Sequence, residues 1–385
     1  PPTLNGLTPS QIADIINAFC KKVETAGYYP MVYTNDYWIS NKIDMTKVHY
    51  DVWIARYNAK PSYQGAAFWQ ASNQGTVNGI SGNVDINFSF KDLSGKLPAN
   101  RWRLIGDKWY YYKNYVKGGQ ECIQLDACLD YIFPGYQPFD GAVCENIRIT
   151  DNVFEDVFAG VGSHSMIYDR PYRNIVIQGN TFRNVKKRAV WCLNYVDSAV
   201  EDNIIENAGG GVLVSCMYFP NTHLIPGTVA GMEGNHQNAG ISVKNNQISI
   251  SSVSQINGNT WRGYGIEVQG AWVSDSSKAQ AKGIPTGIYK ETGVEVKGNM
   301  ITGNGNGIRL YLADGCTVEN NQLKLKKTAS FSNMGIYLSA SSKNVIKDNQ
   351  VSSCKNVGIY AYDGGKLGTP STENQVLDNV ISGIG

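Results

Sequence analysis

The stretch Val294-Glu-Val-Lys-Gly-Asn299, followed by Gly307-Ile-Arg-Leu310, contains the two short patterns that decide the fold of this 385-residue chain. The first pattern places apolar residues two apart and ends in asparagine. The second begins with glycine and again alternates apolar residues. Such alternation is typical of short β-strands, and asparagine and glycine favour the turns between them. The stretch therefore predicts two short strands joined by a tight turn.

Both patterns recur through residues 118–385. The asparagines are separated by 28, 23, 43, 53, 22, 28 and 30 residues. They are Asn152, Asn180, Asn203, Asn246, Asn299, Asn321, Asn349 and Asn379. Two strands per repeat of this length predict a mainly β protein with a right-handed parallel β-helix over residues 118–385. The two long separations leave open either two coils or one coil with a long insertion.

The repeated asparagines are expected to point into the solenoid. Neighbouring strands lie ~4.8 Å apart, so the amide of one asparagine can donate to the next along the axis. This predicts a structural ladder rather than a reactive group.

Composition limits the function classes. The chain has 34 Lys+Arg and 32 Asp+Glu, a formal charge of +2, and only 17% charged residues. No charge field favours nucleic acid, and no run of about 18 apolar residues predicts a membrane span. The 8 cysteines lack zinc spacing, which favours buried thiols over disulfides or metal ligands. Because the chain opens with Pro1-Pro2, either a leader has been removed or, as we expect, the sequence is the interior of a longer polypeptide.

Residues 1–95 show a different pattern. Thr8-Pro9-Ser10-Gln11 predicts a capped helix start, apolar residues follow at helical spacing, and Gly27 ends the helix. Three strand-like runs come next, at residues 31–33, 52–55 and 67–69. A helix followed by mainly apolar strands predicts β/α units with parallel strands.

Four motifs in this segment resemble the C-terminal part of family 25 glycoside hydrolases, which are lysozyme-type muramidases built on a β/α barrel. The motifs are Tyr28-Tyr-Pro-Met-Val-Tyr33, Asp51-Val-Trp-Ile-Ala-Arg-Tyr57, Trp69-Gln70 and Gly79-Ile-Ser-Gly-Asn-Val-Asp-Ile-Asn87. The resemblance implies peptidoglycan as the substrate and Asp85 as a carboxylate at the end of the last barrel strand. It also implies that Tyr33, Trp53 and Trp69 stack on sugars, although barrel core or a packing surface remains the alternative for Trp53 and Trp69.

The departure from that family is equally informative. Its essential Asp-x-Glu pair lies upstream of the capped helix, and no Asp-x-Glu occurs in this chain. A closed β/α barrel needs about 200 residues, and glycoside hydrolysis normally needs two positioned carboxylates. We therefore expect a partial barrel segment that lacks a complete muramidase site.

Residues 96–117 are interpreted as an aromatic connector. Trp102-Arg-Leu-Ile105, a Gly-Asp turn and Lys108-Trp-Tyr-Tyr-Tyr112 predict a hairpin. It resembles one unit of the aromatic cell-wall-binding repeats found beside Gram-positive muramidases. The alternative is that these aromatic residues cover the end of the next domain.

The β-helix region resembles the pectate-lyase and polygalacturonase superfamily, which lays polysaccharide along one outer face. That resemblance is specific for fold but weak for reaction, since the same solenoid serves lyases, hydrolases, epimerases and non-catalytic surface proteins. Aligning the glycine-started strands predicts an outward polar and aromatic strip along the whole solenoid. Its substrate-binding candidates are Gln124, Trp191, Glu267, Arg309, Tyr311, Tyr337 and Tyr360. The run Lys186-Lys-Arg188 is predicted to be a solvated surface, with neutralisation of a uronate as the alternative.

The catalytic candidates lie near the start of the β-helix. Asp126 and His164 share one offset on successive coils, about 5 Å apart, with Trp191 one coil further. Asp130 and Asp140 lie in the Gly/Pro-rich loop between them. An Asp–His pair suits proton abstraction in a lyase or epimerase, whereas a hydrolase would need Asp130 or Asp140 as a second carboxylate.

These patterns predict a carbohydrate-active protein of the bacterial cell surface or exterior, from a Gram-positive organism. Its partner would be polysaccharide or peptidoglycan. Two alternatives stay open: a non-catalytic glycan-binding or structural protein, and a fusion of two incomplete genes. No cofactor or metal ligand set is expected, while bound calcium and the oligomeric state are left open.

Overall fold

The computed structural model describes residues 6–25, 28–77, 81–91, 93, 102–127, 143–163, 166–167, 170–217, 222–223, 239–251, 254–256, 259–261, 263–277, 284–327, 333–364 and 367–385. The chain divides into two compact units, Pro1–Ala99 and Asn100–Gly385. Among the helices of these ranges, none is long and apolar enough to cross a membrane.

The first unit is a short β/α segment. Its elements are α1 (Pro9–Thr25), β1 (Met31–Asn35), α2 (Asp36–Asn41), β2 (Asp51–Ala55), β3 (Ala66–Gly75) and β4 (Val84–Ser89). They form an open sheet in the order β1-β2-β3-β4, parallel except for the antiparallel β3–β4 pair. The predicted helix cap is present, because the Thr8 amide donates to Gln11 Oε1 at 2.9 Å and the Gln11 amide donates to Thr8 Oγ1 at 3.3 Å. The partial β/α segment predicted from sequence is thus confirmed.

The second unit is a parallel β-helix with three sheets, which we call sheets I, II and III. Sheet I contains Arg103–Ile105, Lys108–Tyr112, Glu145–Thr150, Tyr172–Gln178, Tyr195–Val196, Ala199–Glu201, Ser242–Lys244, Glu295–Lys297, Thr317–Glu319, Val345–Lys347 and Gln375–Leu377. Sheet II contains Tyr115–Lys117, Val153–Glu155, Thr181–Arg183, Ile204–Ala208, Gln247–Ile250, Met300–Gly303, Gln322–Leu325, Gln350–Ser352 and Val380–Ser382. Sheet III contains Glu121–Gln124, Ala159–Gly162, Arg188–Leu193, Gly210–Ser215, Tyr264–Gln269, Asn306–Tyr311, Met334–Ser339 and Val357–Tyr362.

Four short strand pairs of the described residues lie outside these three sheets. They are Met166–Ile167 with Thr222–His223, Ser254–Ile256 with Asn259–Trp261, Ala271–Val273 with Gly287–Tyr289, and Glu291–Thr292 with Ala313–Asp314. One continuous apolar core, built largely from valine, isoleucine and leucine, fills the solenoid.

Each complete coil has three strands, whereas the sequence predicted two. The missed strand belongs to sheet II and follows the ladder asparagine directly, as Thr181–Arg183 follows Asn180. Only two residues separate it from the sheet I strand before it, so the two strands were interpreted as one. The sheet count was therefore wrong, although the coil length was right.

The asparagine ladder is confirmed. Each side-chain amide donates to the Oδ1 of the next asparagine, as Asn299 does to Asn321 at 2.9 Å. The same contact joins Asn203 to Asn246 at 2.9 Å and Asn246 to Asn299 at 2.9 Å. The two long separations are thus single coils with insertions. Asn114, which the sequence pattern missed, begins the ladder by donating to Asn152 at 2.7 Å.

The glycine pattern has a steric cause. A Cβ at Gly307 would lie 2.2 Å from the Gly335 carbonyl oxygen of the next coil, and one at Gly335 would lie 2.3 Å from that of Gly358. Glycine lets consecutive coils approach this closely near the start of most sheet III strands, although Ala189 takes the same position in Arg188–Leu193.

The aromatic hairpin belongs to the solenoid. Strand Lys108–Tyr112 pairs in parallel with Glu145–Thr150, and Tyr115–Lys117 pairs with Val153–Glu155. The β-helix ladder therefore begins before residue 118, the boundary expected from sequence. Trp102 and Tyr111 pack with ring centroids 5.3 Å apart in this first coil.

Candidate functional site

The outer face of sheet III carries one continuous register of side chains. Glu267 pairs with Arg309, Arg309 with Tyr337, and Tyr337 with Tyr360. These residues occupy outward positions because the side chains between them point into the core. The outward column predicted from the sequence is thus the observed register in these strands.

An ion-pair cluster lies at the centre of this face. Glu267, only 6% exposed, accepts from Arg309 Nη1 at 2.7 Å, and its other carboxylate oxygen lies 3.6 Å from Arg188 Nη2. Gly210 pairs with Arg188 in the intervening strand and has no side chain to block this contact. One carboxylate therefore stands between two guanidinium groups.

A tryptophan platform adjoins the cluster. Trp191 donates from Nε1 to Ser215 Oγ at 2.8 Å, which fixes the ring. Arg188 Cζ lies 5.7 Å and Lys187 Nζ 6.0 Å from the ring centroid, within cation–π range. Burial, followed by the charge of Arg188, lowers the pKa of Lys187. The solvated surface predicted for the basic run does not hold for Arg188, whose side chain is only 19% exposed.

Tyrosines extend the face beyond the cluster. Arg309 Cζ lies 4.5 Å from the Tyr311 ring centroid and 5.5 Å from that of Tyr264. Tyr337 and Tyr360 stack with centroids 5.7 Å apart and planes 8° from parallel. Aromatic faces of this kind suit the apolar faces of sugar rings.

The sequence predicted an outward polar and aromatic strip along the whole solenoid. The observed strip is shorter. Leu193 and Leu213 occupy outward positions but are 0% and 3% exposed. Leu193 packs in a second apolar cluster with Met217, Val273 and Tyr289, which come from segments inserted between coils. These insertions cover part of the face, so its open part begins at the partly exposed arginines around the buried Glu267 and continues over the tyrosines beyond.

The predicted catalytic residues are only partly described. Asp126 is half-buried and accepts a hydrogen bond from the Gln124 side chain. His164, Asp130 and Asp140 lie outside the described residues, so the Asp126–His164 geometry remains a prediction.

In the first unit, Tyr33 and Trp53 share one sheet face. Their ring centroids are 5.5 Å apart, the Tyr33 hydroxyl donates to Gln70, and Trp53 Nε1 donates to Asn87 Oδ1 at 3.0 Å. The pKa of Tyr33 is raised, first by burial of its hydroxyl and then by neighbours that include Asp85. Asp85 itself is exposed.

Trp69 is not brought together with those two rings. It pairs with Ile54, whereas Phe68 pairs with Trp53, and successive strand residues face opposite sides of a sheet. Trp69 stacks on Phe88, with centroids 5.2 Å apart, and donates to the Arg56 carbonyl at 2.8 Å. Of the three aromatic residues that the sequence predicted to line a sugar cleft, only Tyr33 and Trp53 therefore share one face.

Sequence reasoning missed Arg188 and Tyr264 as parts of the sheet III face. Both are the first residues of their strands and precede the frame used for alignment. Each lies two residues before a buried core residue, Val190 or Ile266, so strand alternation alone would have turned both inward and gave no signal for them. Across the described ranges, no cluster of three or more His, Cys, Asp or Glu side chains is arranged to hold a metal ion.

Known protein families match both the first unit and the β-helix. Residues 235–385 match the family described as right handed beta helix region, and residues 4–80 match glycosyl hydrolases family 25. The right-handed parallel β-helix and the family 25 resemblance are thereby confirmed. Together the two matches indicate a carbohydrate-active protein, of a kind typical of secreted or surface proteins.

The solved structures that match the chain include two modules of mannuronan C-5 epimerases. The A-module of mannuronan C-5 epimerase AlgE6 from Azotobacter vinelandii is 11% identical, with a TM-score of 0.34 over 100% of this chain and 93% of that chain. The AlgE4 A-module from the same organism is 12% identical, with a TM-score of 0.31 over 100% of this chain and 95% of that chain. Likenesses at this level carry no argument about function. No curated protein sequence matches the chain.

Proposed function

We propose that the β-helix binds an acidic polysaccharide along the open outer face of sheet III. The observation that carries this proposal is the cluster in which Arg188 and Arg309 flank the single carboxylate of Glu267. The guanidinium groups of Arg188 and Arg309 present the planar donor fork that matches the carboxylate of a uronate.

The tyrosines beyond the cluster supply the second half of the binding site. Tyr337 and Tyr360 lie on adjacent coils with ring centroids 5.7 Å apart, so a glycan laid along the axis meets two outward rings in succession. Stacking then holds the sugar rings while the guanidinium groups hold the carboxylates. For the first unit we propose peptidoglycan binding at Tyr33 and Trp53.

The binding proposal is tested by titrating the protein with polygalacturonate and with neutral dextran. The double variant Tyr337→Ala/Tyr360→Ala should bind polygalacturonate about tenfold more weakly. Tyr115→Ala is the matched control, because Tyr115 is 55% exposed but lies on sheet II. Equal affinity of the double variant and the native protein, or equal binding of both polymers, overturns the proposal.

Polysaccharide cleavage at Asp126 is the second candidate function. Its support is the half-buried Asp126 carboxylate held by Gln124 at the end of a sheet III strand. Asp126 would act as acid or base, with His164 as proton partner and Asp130 or Asp140 as the second carboxylate of a hydrolase. Reducing ends report hydrolysis and ultraviolet absorbance of an unsaturated product reports elimination. Either signal must vanish in Asp126→Asn, and silence on both leaves binding alone.

A further inference from the structure

A groove with a volume of about 700 Å³ crosses the outer face of sheet II. Ser249, Thr302 and Lys324 form its floor in one register column on three adjacent strands. The lining residues are Ser249, Thr302, Gly303, Lys324, Leu325, Lys326, Lys327, Ser353 and Gly383. The groove thus combines three ammonium groups with three hydroxyls.

Among the described residues, no carboxylate side chain offsets the charge of this groove. No Asp or Glu is among its lining residues. Lys324 and Lys326 are exposed, and neither takes part in an ion pair within the described part of the chain. Lys327 donates to the Gly385 carbonyl. Glu206, further along the same sheet, is already paired with Arg183 at 2.8 Å.

The chemistry of the groove differs from that of sheet III. An ammonium is a compact point charge that binds phosphate and sulfate without a fixed geometry, whereas the guanidinium fork binds carboxylates and phosphates bidentately. No aromatic ring lines the groove among the described residues, so it lacks a stacking platform for sugars. Its chemistry therefore selects charge rather than the faces of sugar rings.

We propose that this groove binds the phosphate or sulfate groups of an extended polyanion. Lys324 and Lys326 are two residues apart, so their backbones lie roughly 6.5–7 Å apart along the strand direction. This spacing lets them contact successive anionic groups of one chain. Ser249, Thr302 and Ser353 supply hydroxyl donors along the groove.

The test compares three polymers of matched length, inorganic polyphosphate, dextran sulfate and polygalacturonate, by calorimetric titration at low salt. The double variant Lys324→Gln/Lys326→Gln should bind polyphosphate or dextran sulfate about tenfold more weakly. The plot of log affinity against log salt concentration should become less steep by about 1.5, since two ammonium contacts are lost and each contributes about 0.7–0.9 to the slope. The control Lys113→Gln/Lys343→Gln removes the same charge from exposed positions outside the groove.

Each outcome decides the proposal. Loss confined to polyphosphate identifies phosphate as the bound group, and loss confined to dextran sulfate identifies sulfate. Equal weakening by the control variant overturns the proposal, because net charge alone would then explain binding. No binding of either polymer, or an equal effect of the groove variant on polygalacturonate, also overturns it. Because the sheet III face is untouched, this result is independent of the polysaccharide proposal.

Discussion

Arg309 donates to Glu267 at 2.7 Å across two adjacent coils of sheet III, and the Glu267 side chain is 9% exposed. Charged groups this buried need their partners, since removing one leaves the other without compensation. The ion pair therefore contributes to the stability of the coil stack as well as to the charge of the proposed binding face.

Arg309→Met should destabilise the protein. The Glu267 carboxylate would keep only Arg188, at 3.6 Å, so the free energy of unfolding should fall by about 2–4 kcal/mol. The control is Arg183→Met, which breaks an exposed pair with Glu206 and should cost less than about 1 kcal/mol. Denaturant unfolding measures both, and equal losses would contradict a special role for the Glu267 pair.

Asn299→Ala and Asn321→Ala should each interrupt the ladder. Each removes a buried amide that donates to the next asparagine and to a core carbonyl, at a cost of about 1–3 kcal/mol. Gln322→Ala, at an exposed neighbouring position, is the control. Unchanged thermal midpoints for both ladder variants would argue against the interior ladder.

Glu291 should make stability depend on pH. The side chain is 1% exposed, and burial raises the pKa of Glu291 to about 8. An unfolded glutamate titrates near ~4.3, so the folded state binds more protons between about pH 4.5 and 8. The free energy of unfolding should therefore fall as pH rises through this window and stay level above it.

Glu291→Gln should flatten that pH profile, because the variant carries no ionisable group. Glu295→Gln is the control, since bonding to Lys244 holds the pKa of Glu295 low and outside this window. Denaturant unfolding between pH 5 and 8 measures both. A slope that persists in Glu291→Gln would assign the pH dependence to another group.

The first unit should not lyse peptidoglycan. Asp85 is exposed and has Tyr33 as a neighbour, while hydrolysis requires a second positioned carboxylate that the sequence motif lacks. When the protein is added to purified cell walls, their turbidity should therefore fall no faster than in buffer alone. Clearing that disappears in Asp85→Asn would show that a complete muramidase site exists.

Much of the fold was predictable because it repeats. The ladder asparagines, the glycine column and the alternation in sheet III each recur at coil length, and repetition separates a weak local pattern from noise. The helix start at Thr8 was predictable for another reason, since a capping box is specified within four residues. The sheet II strands were not, because only two residues separate each of them from the sheet I strand before it, and the two were taken as one strand.

The amino-acid sequence by itself determined the coil length, the ladder and the outward column of sheet III that runs from Glu267 to Tyr360, since all three follow from local period and strand alternation. Only the tertiary structure decided which outward positions stay open, because Leu193 is covered by segments distant in sequence. It also decided that Arg188 reaches Glu267 past Gly210, a contact between side chains 79 positions apart in the sequence. Such contacts depend on where insertions fold and on how far side chains extend across coils, which a repeat pattern does not encode.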